Sequence, residues 1–390
     1  MFSFALIGGG LCVAGWLYLL TAHGRFWSVR SAQANPRDPQ VERTSPVVRP
    51  AIAIVIPARN EADVIGRAIA SLLRQDGCEV LIFVVDDNSS DGTADVARQA
   101  ASSQPDRVSV ISGRSLEPGW SGKLWAMQQG VEQALRLNLD FLLLTDADIE
   151  HAPDSVATLV RVAEAGGYDL ASFMVKLHCR SVAERLLIPA FVFFFFMLYP
   201  PAWVRDPRRK IAGAAGGCML IRPAALERSG GLAAIRQEII DDCALARAVK
   251  RSGGKVWLGA ATNSHSVRPY ESFGEIERMI ARTAFNQLHH SAWLLLGTIA
   301  GMLLLYVLPL ALMVSGPPWL GTIGAVGFAL MSAAYLPMVR FYGLHRLWAL
   351  TLPFAGMFYT VATVDSAMKY WSGRGGEWKG RAQDKGPLCS

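Results

Sequence analysis

The 390-residue chain predicts an α/β domain with a Rossmann-like, mainly parallel sheet, plus transmembrane helices at the N-terminus and the C-terminus. Three observations predict it. Between residues 51 and 175, short apolar runs alternate with helical patterns, as in strand–helix–strand units. Two acidic clusters, 86–93 and 145–148, follow apolar runs directly. Apolar stretches of roughly 20 residues, the length that spans a bilayer, open the chain and recur beyond residue 290. Composition agrees. The chain is 52% hydrophobic with a mean hydropathy of +0.27, which is too apolar for an ordinary soluble protein. At 18% charged it is too polar for a purely membrane one.

The elements follow in order. Residues 1–22 are an N-terminal transmembrane helix. Arg25, Arg30, Arg37, Arg43 and Arg49 come after it, so the positive-inside rule places the N-terminus outside and residue 25 onward in the cytoplasm. A cleaved signal peptide is the alternative, but no basic n-region precedes the stretch. Residues 23–50 form a linker rich in Pro, Arg, Gln and Ser. Ala51–Ile56 is a first buried strand stopped by Pro57. Asn60 caps the helix whose stripe is Ile65, Ile69, Leu72 and Leu73, with Asp63 in a near capping box. Val80–Val85 is the second strand and Val108–Ile111 the third. The helix Lys123–Leu137 leads to a central strand at 139–144, and Pro153 opens another helix. Further strands are expected at 169–175 and 255–258. Residues 186–204, with four consecutive phenylalanines from Phe193, interrupt this domain of residues 51–290. They are read as a helix lying in the membrane interface rather than a true span. A C-terminal membrane region covers 291–369, with spans at Trp293–Val314 and Leu320–Val339 and a weaker one at Leu347–Val364. A basic tail, 370–390, follows. Three spans would put that tail outside, against the positive-inside rule, and an interfacial last segment would resolve the conflict.

Net charge of +6 and a pI near 9.1 suit an anionic lipid surface and an anionic substrate. No zinc-finger or RNA-recognition signature accompanies the charge, so nucleic acid is not an expected partner. The cysteines at 12, 78, 179, 218, 243 and 389 are far apart and form no Cys-x-x-Cys pair, which excludes an evident zinc site or disulfide framework. A reducing cytosolic setting fits.

The chemistry centres on Phe141–Glu150. Asp146 and Asp148 stand one residue apart where the central strand stops, and in open α/β sheets ligands bind beyond the carboxyl ends of the strands. Two hard oxygen ligands there suit Mg²⁺ or Mn²⁺ shared with substrate phosphates. Asp-x-Asp alone is equally a solvated loop. Lys123 follows Trp120-Ser121-Gly122 at a helix start, where anions are favoured; a solvated surface lysine is the plain alternative.

Four segments carry a resemblance: Ile56-Pro57-Ala58-Arg59-Asn60-Glu61; Val85 through Thr93, with Asp86 and Asp87; Thr145-Asp146-Ala147-Asp148; and Asp241-Asp242 followed by Leu245 and Arg247. Over about residues 50–290 the chain resembles family 2 glycosyltransferases of the inverting GT-A type. With Gly119 through Ala126 and the apolar C-terminal part, it looks closest to hopene-associated glycosyltransferases.

The resemblance implies transfer of a single sugar from a nucleotide-diphosphate sugar, UDP-linked, to a membrane lipid acceptor, a hopanoid. Polyprenyl phosphate, ceramide and carotenoid are alternative acceptors, and a non-catalytic membrane scaffold is the rival class. A multi-pass protein of a bacterial-type inner membrane is implied. Pro57, Ala58, Arg59, Glu61, Asp86 and Asp87 would line the nucleotide pocket, with turn capping the plain alternative for the last two. Lys123 would meet the donor diphosphate. Asp148, with Asp146, would hold Mg²⁺ or Mn²⁺, and Asp146 would face the ribose or sugar. Asp242, paired with Asp241, matches the position of the base that takes the acceptor proton. The helix dipole there is expected to keep it ionised. Gly213–Gly217 would line the acceptor pocket. Processive relatives carry Gln-x-x-Arg-Trp; here Arg282 can fill the arginine place but Met279 and Thr283 do not match. Single transfer is therefore expected, with Arg278 or Arg282 as pyrophosphate partners. His265 is a weak candidate for a third metal ligand.

Overall fold

The computed structural model describes residues 2–32, 49–315, 317–373, 377–378 and 381–382. Most of the linker, Gly316, and most of the basic tail, including Arg374, Lys379, Lys385 and Cys389, lie outside the described residues. The chain divides into two units. One comprises Ala32–Leu177, Trp203–Arg268 and Glu377–Ser390; the other comprises Met1–Ser31, His178–Ala202 and Pro269–Gly376.

The first unit is built on an eight-stranded sheet of order β3-β2-β1-β4-β7-β6-β8-β5. Its strands are β1 (Ala51–Ala58), β2 (Glu79–Asp86), β3 (Val108–Ser112), β4 (Phe141–Leu144), β5 (Ile149–Glu150), β6 (Leu170–Lys176), β7 (Met219–Ile221) and β8 (Val256–Ser266). The β3-β2-β1-β4 half is parallel, as expected. β7 runs antiparallel between β4 and β6, and β5 is antiparallel to β8, so the sheet is mixed. The sequence reading missed β5 and β7. At two and three residues they carry no period of their own, and only pairing with β8, β4 and β6 defines them.

β1 is buried from Ile52 onward because both faces of the sheet are covered. Ile52, Ile54 and Ile56 share a core with Ile65, Ile69 and Leu72 of one helix and Val156 and Leu159 of another. Val55 faces the opposite layer, where the Gly122–Ala134 helix packs. Pro57 does not stop β1, which runs through Ala58. Val55 O receives Thr145 N on the β4 side, whereas Ala58 O receives Asp87 N on the β2 side. Odd-numbered residues therefore face β4, and β4 has ended by Pro57. The missing proline N–H removes no ladder bond.

Asn60 does not cap a helix. The Ile65–Leu73 helix starts after Val64 without a side-chain cap. Asn60 is left-handed, at φ 51°, and its Oδ1 accepts from Ser90 N while its own N–H donates to Ser89 Oγ. It ties the loop after β1 to the loop after β2, a contact 30 residues long-range that no local pattern predicts.

The second unit is a set of apolar helices. Five are long and apolar enough to cross a membrane among the described residues: Ser3–Thr21, Val182–Arg205, Ala292–Val314, Pro318–Phe341 and Arg346–Trp371. Their packing is aromatic. Phe193 meets Phe26 at 5.1 Å and Tyr335 at 5.3 Å, and Phe194 meets Tyr306 and Tyr359. A π-helical turn, Leu303–Val307, interrupts the 292–314 segment, and Trp16 Nε1 donates to Leu305 O within it at 3.0 Å. Such turns disturb the regular carbonyl ladder, and the indole N–H satisfies one of its acceptors. Tyr359 Oη donates to Leu187 O at 3.0 Å, joining two of the segments. The Phe-rich helix Val182–Leu198 begins with a capping box between Ser181 and Glu184.

Gly130 tests how the sheet is covered. A Cβ there would stand 2.5 Å from Val55 Cγ1 and 3.1 Å from Val85 Cγ2. Alanine gains about 1 kcal/mol of helix propensity, but overpacking a closed core costs about 1–3 kcal/mol. Gly130→Ala should therefore lower the melting temperature of the purified protein. A variant that melts at or above the wild type would show that this layer is loosely packed.

Candidate functional site

The site grows out of the carboxyl ends of β1, β2 and β4. The parallel register sets Ala58 beside Asp86 and Val55 beside Leu144. Three loops leave the sheet side by side, each carrying acidic or polar residues. Arg59 Nη1 donates to Asp87 O and lies 3.6 Å from Asp87 Oδ2, so the two predicted pocket residues are paired with each other. Asp86 Oδ2 accepts from Ser89 N, while its Oδ1 is buried with no hydrogen-bond partner among the described residues. That unanswered acceptor points to a ligand donor, whereas turn capping accounts for the other oxygen.

The second cluster gathers around Gly216. Lys123 Nζ lies 3.0 Å from Asp146 Oδ1 and 3.1 Å from Asp241 Oδ2. A Cβ at Gly216 would meet Lys123 Nζ, Asp242 Oδ2 and Asp146 Oδ2, all within 3.4–3.7 Å. Four of the predicted residues thus converge from three distant segments. Lys123 stands in the first turn of the Gly122–Ala134 helix and Asp241 and Asp242 open the Asp241–Arg251 helix. Burial by itself would depress the Lys123 ammonium; Asp146, Asp241 and Asp242 overcome it and hold it above the ordinary range. Asp242 is held above the ordinary carboxylate range yet stays mostly ionised at neutral pH. Burial, then the neighbouring Asp241 charge, push its carboxyl up to about 6, against Lys123 and two backbone N–H donors. Those donors are Gly216 N at 2.8 Å and Cys243 N at 2.6 Å. The helix terminus and Lys123 moderate the cost of burial without cancelling it.

Asp148 points to a third group. Its Oδ2 accepts from Ser266 Oγ at 2.6 Å and lies 3.7 Å from Arg268 Nε. Arg268 Nη2 also ion-pairs with Glu61. Burial and the Asp146 charge raise the Asp148 carboxyl; Ser266 and Arg268 oppose them. Ser266 and Arg268 were not found by sequence reasoning. They arrive because β8 runs eleven residues and pairs Ser266 with Ile149, placing Val267 N on Asp148 O at 2.8 Å. No local signal marks them. His265, one residue earlier, pairs with Glu150 and approaches its carboxylate at 3.9 Å. Strand alternation turns it to the opposite face from Ser266. Arg282 and Arg278 belong to the apolar-helix unit, at the end of the Phe273–Ala281 helix.

The glycine- and alanine-rich loop is pinned along its length. Ser172 Oγ accepts from Ala215 N at 2.9 Å, and Cys243 Sγ donates to Ala214 O. Thr145 Oγ1 donates to Gly217 O at 2.7 Å and lies 2.9 Å from His151 Nε2. Burial pushes the His151 imidazole down to about 4.

No three His, Cys, Asp or Glu groups among the described residues are placed to hold a metal by themselves. Two carboxylates completed by substrate phosphates and water are the usual Mg²⁺ arrangement. Asp146 and Asp148 fit that chemistry, and a cation beside them would relieve the repulsion that raises Asp148.

Comparison with known proteins agrees with this architecture. Residues 53–230 match the model of glycosyl transferase family 2. A 118-residue segment is 36% identical to 4,4'-diaponeurosporenoate glycosyltransferase of Staphylococcus aureus, covering 30% of this chain and 29% of that protein. A 123-residue segment is 35% identical to polyprenol monophosphomannose synthase of Mycolicibacterium smegmatis, covering 30% of this chain and 42% of that one. The chain thus spans less than half the length of either relative. The structure of mannosyltransferase PcManGT from Pyrobaculum calidifontis, in complex with GDP-Man and Mn²⁺, superposes with a TM-score of 0.53 at 20% identity, over 93% of this chain and 99% of that one. The shared fold is the Rossmann-like GT-A type. Residues 53–230 thus form a domain that resembles glycosyl transferase family 2.

Proposed function

We propose that this protein is a membrane-bound inverting glycosyltransferase that moves one sugar from a nucleotide-diphosphate sugar to a lipid hydroxyl or phosphate. The observation that carries the reading is the meeting of Lys123, Asp146, Asp241 and Asp242 around Gly216. A cationic side chain, an Asp-x-Asp turn and a helix-borne carboxylate are what a pyrophosphate leaving group and a proton-losing acceptor require together. The acceptor oxygen attacks the anomeric carbon, the bond to the diphosphate breaks, and a hydroxyl acceptor's proton passes to Asp242. Lys123 exchanges its carboxylate partners for the leaving diphosphate. Asp148 and Asp146 would hold Mg²⁺ or Mn²⁺, which supplies charge neutralisation at the diphosphate when bound. Asp86, with its unanswered oxygen, and the Pro57–Glu61 loop would receive the nucleotide.

The acceptor reading rests on the apolar helices and on the relatives. One relative is named for 4,4'-diaponeurosporenoate and the other for polyprenol monophosphomannose. They favour carotenoid or polyprenol acceptors over the hopanoid expected from sequence. We place residues 1–22 and 291–369 in a plasma membrane, with the domain of 51–290 in the cytoplasm. Mass analysis of product from purified protein, incubated with a panel of nucleotide sugars and with hopanoid, polyprenyl phosphate, ceramide and carotenoid lipids, names the acceptor.

Two measurements test the roles. Asp242→Asn should lower transfer by about 10²–10⁴-fold, the range for loss of a general base, and Asp148→Asn should also lower it, through loss of a metal ligand, while the melting temperature of each stays near wild type. Turnover near wild type in either folded variant removes the assigned role. With donor saturating, the rate should fall as pH drops through about 6, because protonating Asp242 removes the base. A rate that stays level down to pH 5 assigns the proton to another group.

A further inference from the structure

We infer that His151 and Thr145 are positioning residues that lock the Asp146–Asp148 turn to the loop holding Asp242, so that the two halves of the site keep a fixed separation. This inference rests on the function proposed above. A threonine hydroxyl has one hydrogen to donate. Thr145 Oγ1 spends it on Gly217 O, at 2.7 Å. The 2.9 Å contact with His151 Nε2 must then be donated by the imidazole. His151 is therefore the Nε2–H tautomer, and its Nδ1 is buried with no hydrogen-bond partner among the described residues. The result is a directional chain, His151 Nε2–H to Thr145 Oγ1–H to Gly217 O. Its far end adjoins Gly216, whose N–H donates to Asp242 Oδ2 at 2.8 Å. Its middle member, Thr145, adjoins Asp146 through their shared peptide.

Both anchors are themselves fixed. His151 N donates to Ser71 Oγ at 3.0 Å, and Ser71 is fully buried in the Ile65–Leu73 helix. The relay thus runs from the helical layer, through the end of β4, to the loop before β7. Imidazolium at position 151 would leave a second buried N–H to satisfy where no acceptor faces Nδ1. The site keeps the ring neutral, and the direction of the relay cannot reverse. Neither side chain touches the reacting atoms. Their part is geometric, in a reaction where about 1 Å of misplacement costs about 10²-fold.

The test uses the full-length protein in detergent. Thr145→Val keeps the shape and removes the hydroxyl; Thr145→Ser restores it. Thr145→Val should lose about 10–100-fold in kcat with the donor KM within about threefold of wild type, and Thr145→Ser should recover kcat to within about threefold. Equal kcat in Thr145→Val and wild type overturns the inference, as does equal loss in both variants. A second readout needs no substitution at Thr145 and no turnover. In protein labelled with ¹⁵N-histidine, the resonance that disappears in His151→Gln should report a neutral Nε2–H ring at pH 7. A neutral Nδ1–H ring or an imidazolium there overturns the relay, even if Thr145→Val fails to fold. Wild-type protein with no sugar transfer refutes the proposed function, whereas the tautomer decides the relay by itself.

Discussion

The structure depends on one electrostatic constraint, a single ammonium held among carboxylates that would otherwise repel one another. Lys123 pairs with Asp146 and Asp241 and faces Asp242. Ionised carboxylates withdrawn from water are costly unless paired. One lysine cannot neutralise three of them, so the cleft retains negative charge. Burial first, and then that residue of charge, raise the carboxyl of Asp242. It also makes the cleft attractive to a cation, which a diphosphate can then join. Gly216 sits at the centre of the same cluster, where a Cβ would be in ordinary van der Waals contact with Lys123, Asp242 and Asp146.

The sheet makes the constraint possible. Parallel strands end together, so loops from β1, β2 and β4 emerge on one edge. The two short antiparallel strands complete the arrangement. β7 brings the Gly213–Gly217 loop against β4, and β5 draws the end of β8 to Asp148. Arg268, linking Glu61 with Asp148, then closes the edge opposite Lys123. The acidic groups are divided between two cations, and neither cation serves the whole set.

The apolar-helix unit follows a different logic. Its helices are apolar on nearly all sides, so they lack the amphipathic stripe that orients a soluble helix. Specific pairing comes instead from interlocked aromatic rings and from tyrosine and tryptophan donors that answer backbone carbonyls. The Phe-rich segment takes part in this packing on most of its surface, with Phe193 and Phe196 fully buried. Its apolar composition is therefore used for helix contacts as well as for an apolar surrounding.

Composition and pattern by themselves determined the α/β class, the apolar helices and the acidic positions at the strand ends. Each of those is a local property: runs of apolar residues make buried strands, and turn formers after them make loops. The same patterns misjudged Pro57 and Asn60, because what a residue does there depends on which neighbouring strand has ended and which loop lies alongside. Only the tertiary structure decided that Asp146 and Asp241 share a lysine, that Ser266 and Arg268 reach Asp148, and that His151 supports Thr145. Ser266 and Asp148, for example, stand 118 positions apart. Pairing at that range is set by strand register and helix packing, which leave no mark on the neighbouring residues in the chain. The ionisation of Asp242 belongs to the same class: the helix terminus was visible in sequence, but the burial that outweighs it exists only once the fold has closed.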